Sequence, residues 1–261
     1  MRNGHGTPIW YELLTTDPDA SGEFYRQAIG WTIGPKPSEG PDYRMLVTAD
    51  GSNVGGMMSL DPAMVAGGAR PTWLFYIGVD DVDATVARIT AAGGSIHLPA
   101  FDMPGVGRLA MVADPQGNTF YVMRGAVDAP STAWERTGMG KCNWHELVTN
   151  DQAAANAFYA DIFGWTFPGK MPMPEGMGDY VFAAVGEETF GATMQVNQHQ
   201  PTPGWLFYFR APDIEKAAAA VTAGGGTVHA GPMEVPGGDR VIVASDPQGA
   251  SFGIAAPGDA S

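Results

Sequence analysis

Two short runs hold the residue types best suited to chemistry. Trp10-Tyr11-Glu12-Leu13 and Trp144-His145-Glu146-Leu147 each place a carboxylate two residues beyond an indole. Side chains alternate between faces along a strand, so Glu12 shares a face with Trp10, and Glu146 with Trp144. A carboxyl group partly shielded from water beside an indole can exchange protons as a general base or acid. It can equally be a structural acceptor, because a buried carboxylate persists only when paired, and Arg108 and Arg240 recur as candidate partners. The same parity groups Leu74 with Tyr76 and Leu206 with Tyr208, adding a phenol that can donate a hydrogen bond. Glu12, Glu146, Tyr76 and Tyr208 are therefore the candidate catalytic residues.

The elements that position these residues are written twice in the chain. Asp17 is answered by Asp151, Phe24-Tyr25 by Phe158-Tyr159, and Gly30-Trp31-Thr32 by Gly164-Trp165-Thr166. Further on, Trp73-Leu74-Phe75-Tyr76 is answered by Trp205-Leu206-Phe207-Tyr208, Gly93-Gly94 by Gly225-Gly226, and Asp114-Pro115-Gln116-Gly117 by Asp246-Pro247-Gln248-Gly249. A repeat of this length sets the architecture before residue-level chemistry does. Each half divides again, because the pattern of strand, capping aspartate, helix and glycine stop begins at Asp17, Asp81, Asp151 and Asp213. Pro18 fits the first helical position after its cap. The expected fold is α+β, with four βαβββ units in two tandem domains, residues 1–126 and 138–261, and helices on one face of strongly curved mixed sheets. Ala126–Ala133 is small, polar and aperiodic, as a linker should be.

Composition narrows the partners. The 261 residues carry a formal charge of −14, which opposes binding to nucleic acid or to an anionic membrane surface. No apolar run is long enough to span a bilayer, and the first residues lack an apolar signal core, so a cytoplasmic protein is expected. The one cysteine, Cys142, has no CxxC companion and reads as buried filler. The expected partner is a small molecule, and the expected assembly a monomer or homodimer. Gly51–Gly56 and Gly224–Gly226 lack the strand, GxGxxG and helix order of a dinucleotide site, and there is no Gly-Lys-Ser/Thr loop, Gly-x-Ser-x-Gly elbow or HExxH pair.

The strand-Asp-helix-Phe-Tyr-Gly-Trp order, followed by an Asp-Pro-x-Gly turn into a last strand, resembles the glyoxalase, bleomycin-resistance and extradiol-dioxygenase superfamily of vicinal oxygen chelate proteins. The likeness spans about residues 8–124 and 142–256, and is greatest to tandem two-domain, glyoxalase-like members. It implies paired βαβββ units whose sheets enclose a cavity. It also implies a divalent metal held by His, Glu or Gln, one ligand lying seven residues before each capping aspartate and others on the last strand of a unit.

At those positions this chain carries Trp10, Leu74, Trp144 and Leu206, with Tyr121 and Gly253 on the last strands. None of these is a usual metal donor, so no cofactor is expected. The strands Val54–Met58 and Phe190–Met194 contain no His or Glu, and His97 and His229 follow a helix-ending glycine pair on strands that need not face the site. Trp10, Trp144, Leu74, Leu206, Tyr121, Ser251 and Gly253 become candidate ligand-binding residues, with Thr119 beside Tyr121. Gly253 stands where Tyr121 stands in the other half, so the two cavities are expected to differ, the second being roomier. If the first unit of one half pairs with the second unit of the other, Trp10, Glu12, Leu206, Tyr208, Ser251 and Gly253 would share that roomier site. The Met171–Met177 run fits an apolar flap or ordinary loop packing. Two functions follow from this. One is a metal-free binder of a small apolar or aromatic metabolite. The other is a metal-independent lyase, isomerase or hydroxylase acting on a small carbonyl compound, with a glutamate as base.

Overall fold

The computed structural model describes residues 3–174, 176–198 and 200–258. The first half runs β1 (Pro8–Thr15), α1 (Pro18–Ala28), β2 (Thr32–Ile33), β3 (Tyr43–Val47), β4 (Asn53–Ser59), α2 (Pro62–Ala66), β5 (Thr72–Gly78), α3 (Val82–Ala91), β6 (Ser95–Met103), β7 (Gly107–Ala113) and β8 (Thr119–Gly125). The second runs β9 (Cys142–Thr149), α4 (Gln152–Phe163), β10 (Thr166–Pro172), β11 (Asp179–Val185), β12 (Glu188–Gln195), β13 (Gly204–Arg210), α5 (Ile214–Ala223), β14 (Thr227–Glu234), β15 (Asp239–Ser245) and β16 (Ser251–Pro257). The strands form two mixed sheets of eight, in the orders β2-β3-β4-β1-β5-β8-β7-β6 and β10-β11-β12-β9-β13-β16-β15-β14. This is the α+β arrangement of four βαβββ units expected from the repeat. The short helix α2, capped by Asp61 with Pro62 next, is an addition that the repeat did not announce.

The four capping aspartates begin the four long helices. Asp17, Asp81, Asp151 and Asp213 each accept a backbone N–H three residues on, at 3.0 Å in every case. Each cap satisfies a donor that the first helical turn leaves without a partner, and is worth about 1 kcal/mol. The parallel pairing of β1 with β4 and of β9 with β12 needs a glycine at one place in each pair. A Cβ on Gly55 would lie 2.2 Å from the Tyr11 carbonyl oxygen, and one on Gly191 would lie 2.3 Å from that of His145.

Close packing divides the chain into two compact units, and each draws on both sequence halves. One contains the segment ending at Ile9, with Leu74–Ser131 and His145–Trp205; the other contains Trp10–Trp73, Thr132–Trp144 and the segment beginning at Leu206. We call them the Tyr159 unit and the Tyr25 unit, after the tyrosine at the centre of each.

In the Tyr25 unit, the Trp73 indole N–H donates to the Tyr25 hydroxyl at 2.8 Å, and that hydroxyl donates to Asp246 Oδ2 at 3.1 Å. Asp246 Oδ1 in turn accepts the N–H groups of Gln248 (3.0 Å) and Ala250 (2.9 Å), which closes the Asp-Pro-Gln-Gly turn. Phe24, Trp31, Phe209 and Phe252 pack around this chain of bonds, with Trp73 and Phe209 centroids 4.8 Å apart. Burial, and then the Asp246 charge, push the Tyr25 phenol well above its ordinary pKa. Burial also raises the Asp246 carboxyl.

The Tyr159 unit repeats the pattern. Trp205 donates to Tyr159 at 3.2 Å and Tyr159 to Asp114 Oδ2 at 3.1 Å, while Asp114 Oδ1 accepts Gln116 N and Asn118 N, both at 2.9 Å. Gln116 extends the lock to the start of α4: its Oε1 accepts from Thr149 Oγ1 (2.8 Å) and Asp151 N (2.7 Å), and its Nε2 donates to Asp151 O (2.8 Å). His145 is fully buried here against Phe75 and Phe190, with Nδ1 2.9 Å from the Phe190 carbonyl. Burial lowers its pKa to about 3.

Two outcomes are expected. Tyr25→Phe leaves a buried carboxylate and a buried indole N–H short of a partner, so it should cost roughly 2 kcal/mol in urea unfolding. A loss below about 0.5 kcal/mol would show that the bond chain contributes little. His145 has a folded pKa below its unfolded value of about 6.5. Its contribution to stability is thus complete above that pH and is lost as pH falls towards about 3. The slope attributable to it is about 1.4 kcal/mol per pH unit. Unfolding of the wild type and of His145→Phe, compared between pH 7 and pH 4, should show a flatter acid limb in the variant.

Candidate functional site

Both predicted glutamates are buried, Glu12 at 3 % and Glu146 at 5 % exposure, and each has a tyrosine partner. Tyr43 in β3 lays its phenol across Gly56 in β4, where a Cβ would fall 2.0 Å from the phenol oxygen. There it receives the Trp10 Nε1–H at 2.8 Å and donates to Glu12. Burial and then the Glu12 charge raise the Tyr43 pKa. In the Tyr159 unit, Tyr180 in β11 donates to Glu146 Oε2 at 2.8 Å, and Gln200 Nε2 donates to Oε1 at 3.1 Å. Sequence reasoning missed Tyr43, Tyr180 and Gln200. A signal was present for the tyrosines, since the dipeptide Asp42-Tyr43 recurs as Asp179-Tyr180.

The expected pairing of these glutamates with Arg108 and Arg240 is corrected. Arg108 binds Asp83 through Nε (2.7 Å) and Nη2 (2.8 Å), and Asp102 through Nη1 (3.1 Å); Arg240 binds Glu215 at 2.8 Å. Asp83 lies on α3 and Glu215 on α5, so each arginine is turned to the helix-covered face of its sheet, away from the glutamate face.

The candidate tyrosines are engaged in ring packing. Tyr76 and Tyr121, paired across β5 and β8, stack with centroids 4.2 Å apart and planes 11° from parallel. Leu74 is buried on the same face as Tyr76, and Thr119 begins β8. In the second half Gly253 pairs with Tyr208, and a Cβ there would lie 2.2 Å from the Tyr208 ring. The expectation that Gly253 leaves open room is therefore corrected, because Tyr208 occupies what the glycine vacates. Leu206, Tyr208, Val241 and Ala255 form a buried cluster with Trp144, Val235 and Val243 packed against it. Ser251 is exposed at the start of β16, opposite Ser245, and takes no part in the cluster.

The shared site conditional on crossed pairing does not form, although Trp10, Glu12, Leu206 and Tyr208 all lie in the Tyr25 unit. Tyr11 meets Phe207 and Phe209, with centroids 5.6 and 5.8 Å away. Strand alternation then turns Trp10 and Glu12 away from that contact on one side, and Leu206 and Tyr208 away on the other.

At the positions where the resemblance implies a divalent metal, the side chains are engaged elsewhere or carry no usual donor atom. Trp10 has no lone pair to offer from its indole N–H, which is already donated to Tyr43; Tyr121 lies flat against Tyr76; Leu74, Leu206 and Gly253 carry no donor atom. Among the described residues no three His, Cys, Asp or Glu side chains gather as a metal would require. His97 and His229 lie on the edge strands β6 and β14, where His229 Nε2 is 2.9 Å from Ser245 Oγ, and His5 Nε2 is 3.0 Å from the Ile162 carbonyl. His199 and Glu175, the latter in the Met171–Met177 run, lie outside the described residues. Cys142 is buried beside Tyr11, and burial pushes its thiol up to about 12, too high for a nucleophile at neutral pH. Two shallow depressions on the surface flank α5, lined by residues such as Ala219, Thr222 and Val228, or Asp213, Lys216 and Arg240, and neither includes a candidate site residue. No described helix is long and apolar enough to cross a membrane.

Known proteins with this architecture place the chain. "Putative glyoxylase CFP32" of Mycobacterium bovis is 35 % identical over 258 residues, covering 97 % of this chain and 95 % of its own. "Anthracycline biosynthesis protein DnrV" of Streptomyces peucetius is 30 % identical, covering 95 % of this chain and 92 % of its own. Among solved structures, the Mn(II)-bound glyoxalase from Novosphingobium aromaticivorans matches with a TM-score of 0.67 at 17 % identity, covering 97 % of this chain and 82 % of that one. The 2,3-dioxygenase LapB from Pseudomonas sp. KL28 matches with a TM-score of 0.65 at 16 % identity, covering 99 % and 94 %. The sequence profile of the Glyoxalase/Bleomycin resistance protein/Dioxygenase superfamily matches residues 8–122 and 141–254, so the chain belongs to that superfamily, represented once in each half.

Proposed function

We propose that this protein binds a small apolar or aromatic metabolite against the ring-lined faces of its sheets, without the superfamily's metal quartet. The observation that carries the reading is the side-chain chemistry at the quartet positions. Trp10, Leu74, Tyr121, Trp144, Leu206 and Gly253 stand there, and the aromatic groups among them offer flat apolar surface with a few polar atoms nearby, which is how small-molecule sites are commonly built. The Streptomyces relative is named for anthracycline biosynthesis, and anthracyclines are planar polycyclic aromatics, so that name agrees with a flat ligand.

A second reading is favoured by a specific observation, the tyrosine-partnered glutamate found on both sheets. In a metal-independent lyase, isomerase or hydroxylase acting on a small carbonyl compound, Glu12 or Glu146 would be the base. Tyr43 or Tyr180 would then orient its carboxylate, and Tyr76 or Tyr208 would be a donor to the substrate. The name of the mycobacterial relative agrees with this alternative.

Titration with the neutral planar compound 2-naphthamide, followed by tryptophan fluorescence, should saturate, and Trp144→Ala or Tyr208→Ala should weaken it by roughly tenfold. Absence of saturable binding of both this amide and the corresponding acid, 2-naphthoate, would reject the binder. Assay of methylglyoxal turnover with and without glutathione should give none; turnover abolished by Glu12→Gln or Glu146→Gln would establish the enzyme instead. Stoichiometric metal in protein purified without chelator would overturn the metal-free part of the reading.

A further inference from the structure

The two halves differ in one charged feature that the repeat does not share. Where the first half has Gly78 at the end of β5 and Gly107 at the start of β7, the second has Arg210 and Asp239. Arg210 is 7 % exposed at its side chain and grips Asp239 through both terminal nitrogens, Nη1 to Oδ2 at 2.6 Å and Nη2 to Oδ1 at 2.9 Å. Its backbone is pinned as well, with N donating to Lys141 O at 2.9 Å and O accepting from Gly140 N at 2.8 Å. Of its three guanidinium nitrogens, Nε alone is buried with no hydrogen-bond partner. A buried guanidinium that leaves one of its donors unmatched is costly.

The strand face that Arg210 occupies is apolar. Arg210 shares a strand face with Leu206 and Tyr208, and it pairs with Ala255; all three belong to the apolar cluster against which Trp144 packs. A second cation caps the same wall, with the Arg136 guanidinium carbon 5.4 Å from the centre of the Trp144 ring. Asp239 neutralises Arg210 through its two terminal nitrogens and leaves Nε for a further acceptor.

We infer that the Leu206–Tyr208 cluster of the Tyr25 unit is specific for a planar aromatic acid, whose carboxylate accepts from Arg210 Nε–H while its ring lies among Trp144, Leu206 and Tyr208. This rests on the ligand-binding reading above and adds the charge of the ligand to it. Arg210 is then the residue that separates an acid from its neutral isostere, and Asp239 holds the guanidinium fork so that its Nε edge is presented to the ligand.

Calorimetric titration of the full chain with 2-naphthoate and with 2-naphthamide tests it. The acid should bind about tenfold more tightly, with one acid per chain, as expected of a charge-assisted hydrogen bond. The double variant Arg210→Met/Asp239→Leu removes both charges together and so leaves neither one buried and unpaired. It should lose the preference for the acid, the two compounds then binding within about twofold of each other. Equal affinities in the wild type, or a preference surviving in the double variant, would overturn the carboxylate subsite while leaving the ligand-binding reading intact. If neither compound binds, the ligand-binding reading fails and this inference with it.

Discussion

The structure depends on a chain of buried hydrogen bonds that occurs twice: tryptophan N–H to tyrosine hydroxyl, tyrosine hydroxyl to aspartate, and aspartate to the backbone of an Asp-Pro-Gln-Gly turn. Each link desolvates a polar group, and each polar group is repaired by the next, so the chain is stable only when complete. Because tyrosine and turn come from opposite halves of the sequence, a compact unit cannot close until both halves are present. This lock sits on one face of the strands, among Tyr11, Phe207, Phe209 and their neighbours, and it commits alternate residues to that core.

The residues left for the opposite face include the positions at which the resemblance implies a site. In this chain they are rings and short aliphatic groups with a buried glutamate beside them, and each glutamate is answered by a tyrosine reaching over from a neighbouring strand. The repeat is therefore strict about the scaffold and lax about the opposite face. Tyr76 and Tyr121 stack in one half where Tyr208 lies over Gly253 in the other, and Gly78 and Gly107 correspond in sequence to the Arg210–Asp239 ion pair.

The parts of the fold legible in the sequence were those fixed by local rules. An aspartate before a helical run caps it whatever lies around it, a glycine pair stops it, and an alternating apolar run makes a strand. The glutamates, too, could be singled out, since a carboxylate in an apolar strand is unusual anywhere. Their partners could not. Arg108 and Arg240 looked suitable by recurrence alone, but strand parity turned them towards the acids of α3 and α5, and the tyrosines that replaced them lie about 30 residues from their glutamates. Gly253 misled for a related reason: a missing side chain says that something comes close, but not what, and here the Tyr208 ring takes the space.

What the sequence determined by itself is the periodic part of this protein, namely four units, their caps and stops, the doubled architecture, and the absence of usual metal donors at six positions. These are properties of single residues or of near neighbours, and the chain cannot fold without expressing them. Only the tertiary structure decided which half's turn locks onto which half's tyrosine, which side chain answers each buried glutamate, and that Arg210 keeps an unmatched donor among apolar neighbours. Those outcomes depend on distances between segments far apart in sequence, and such distances are set by the packing of the whole core.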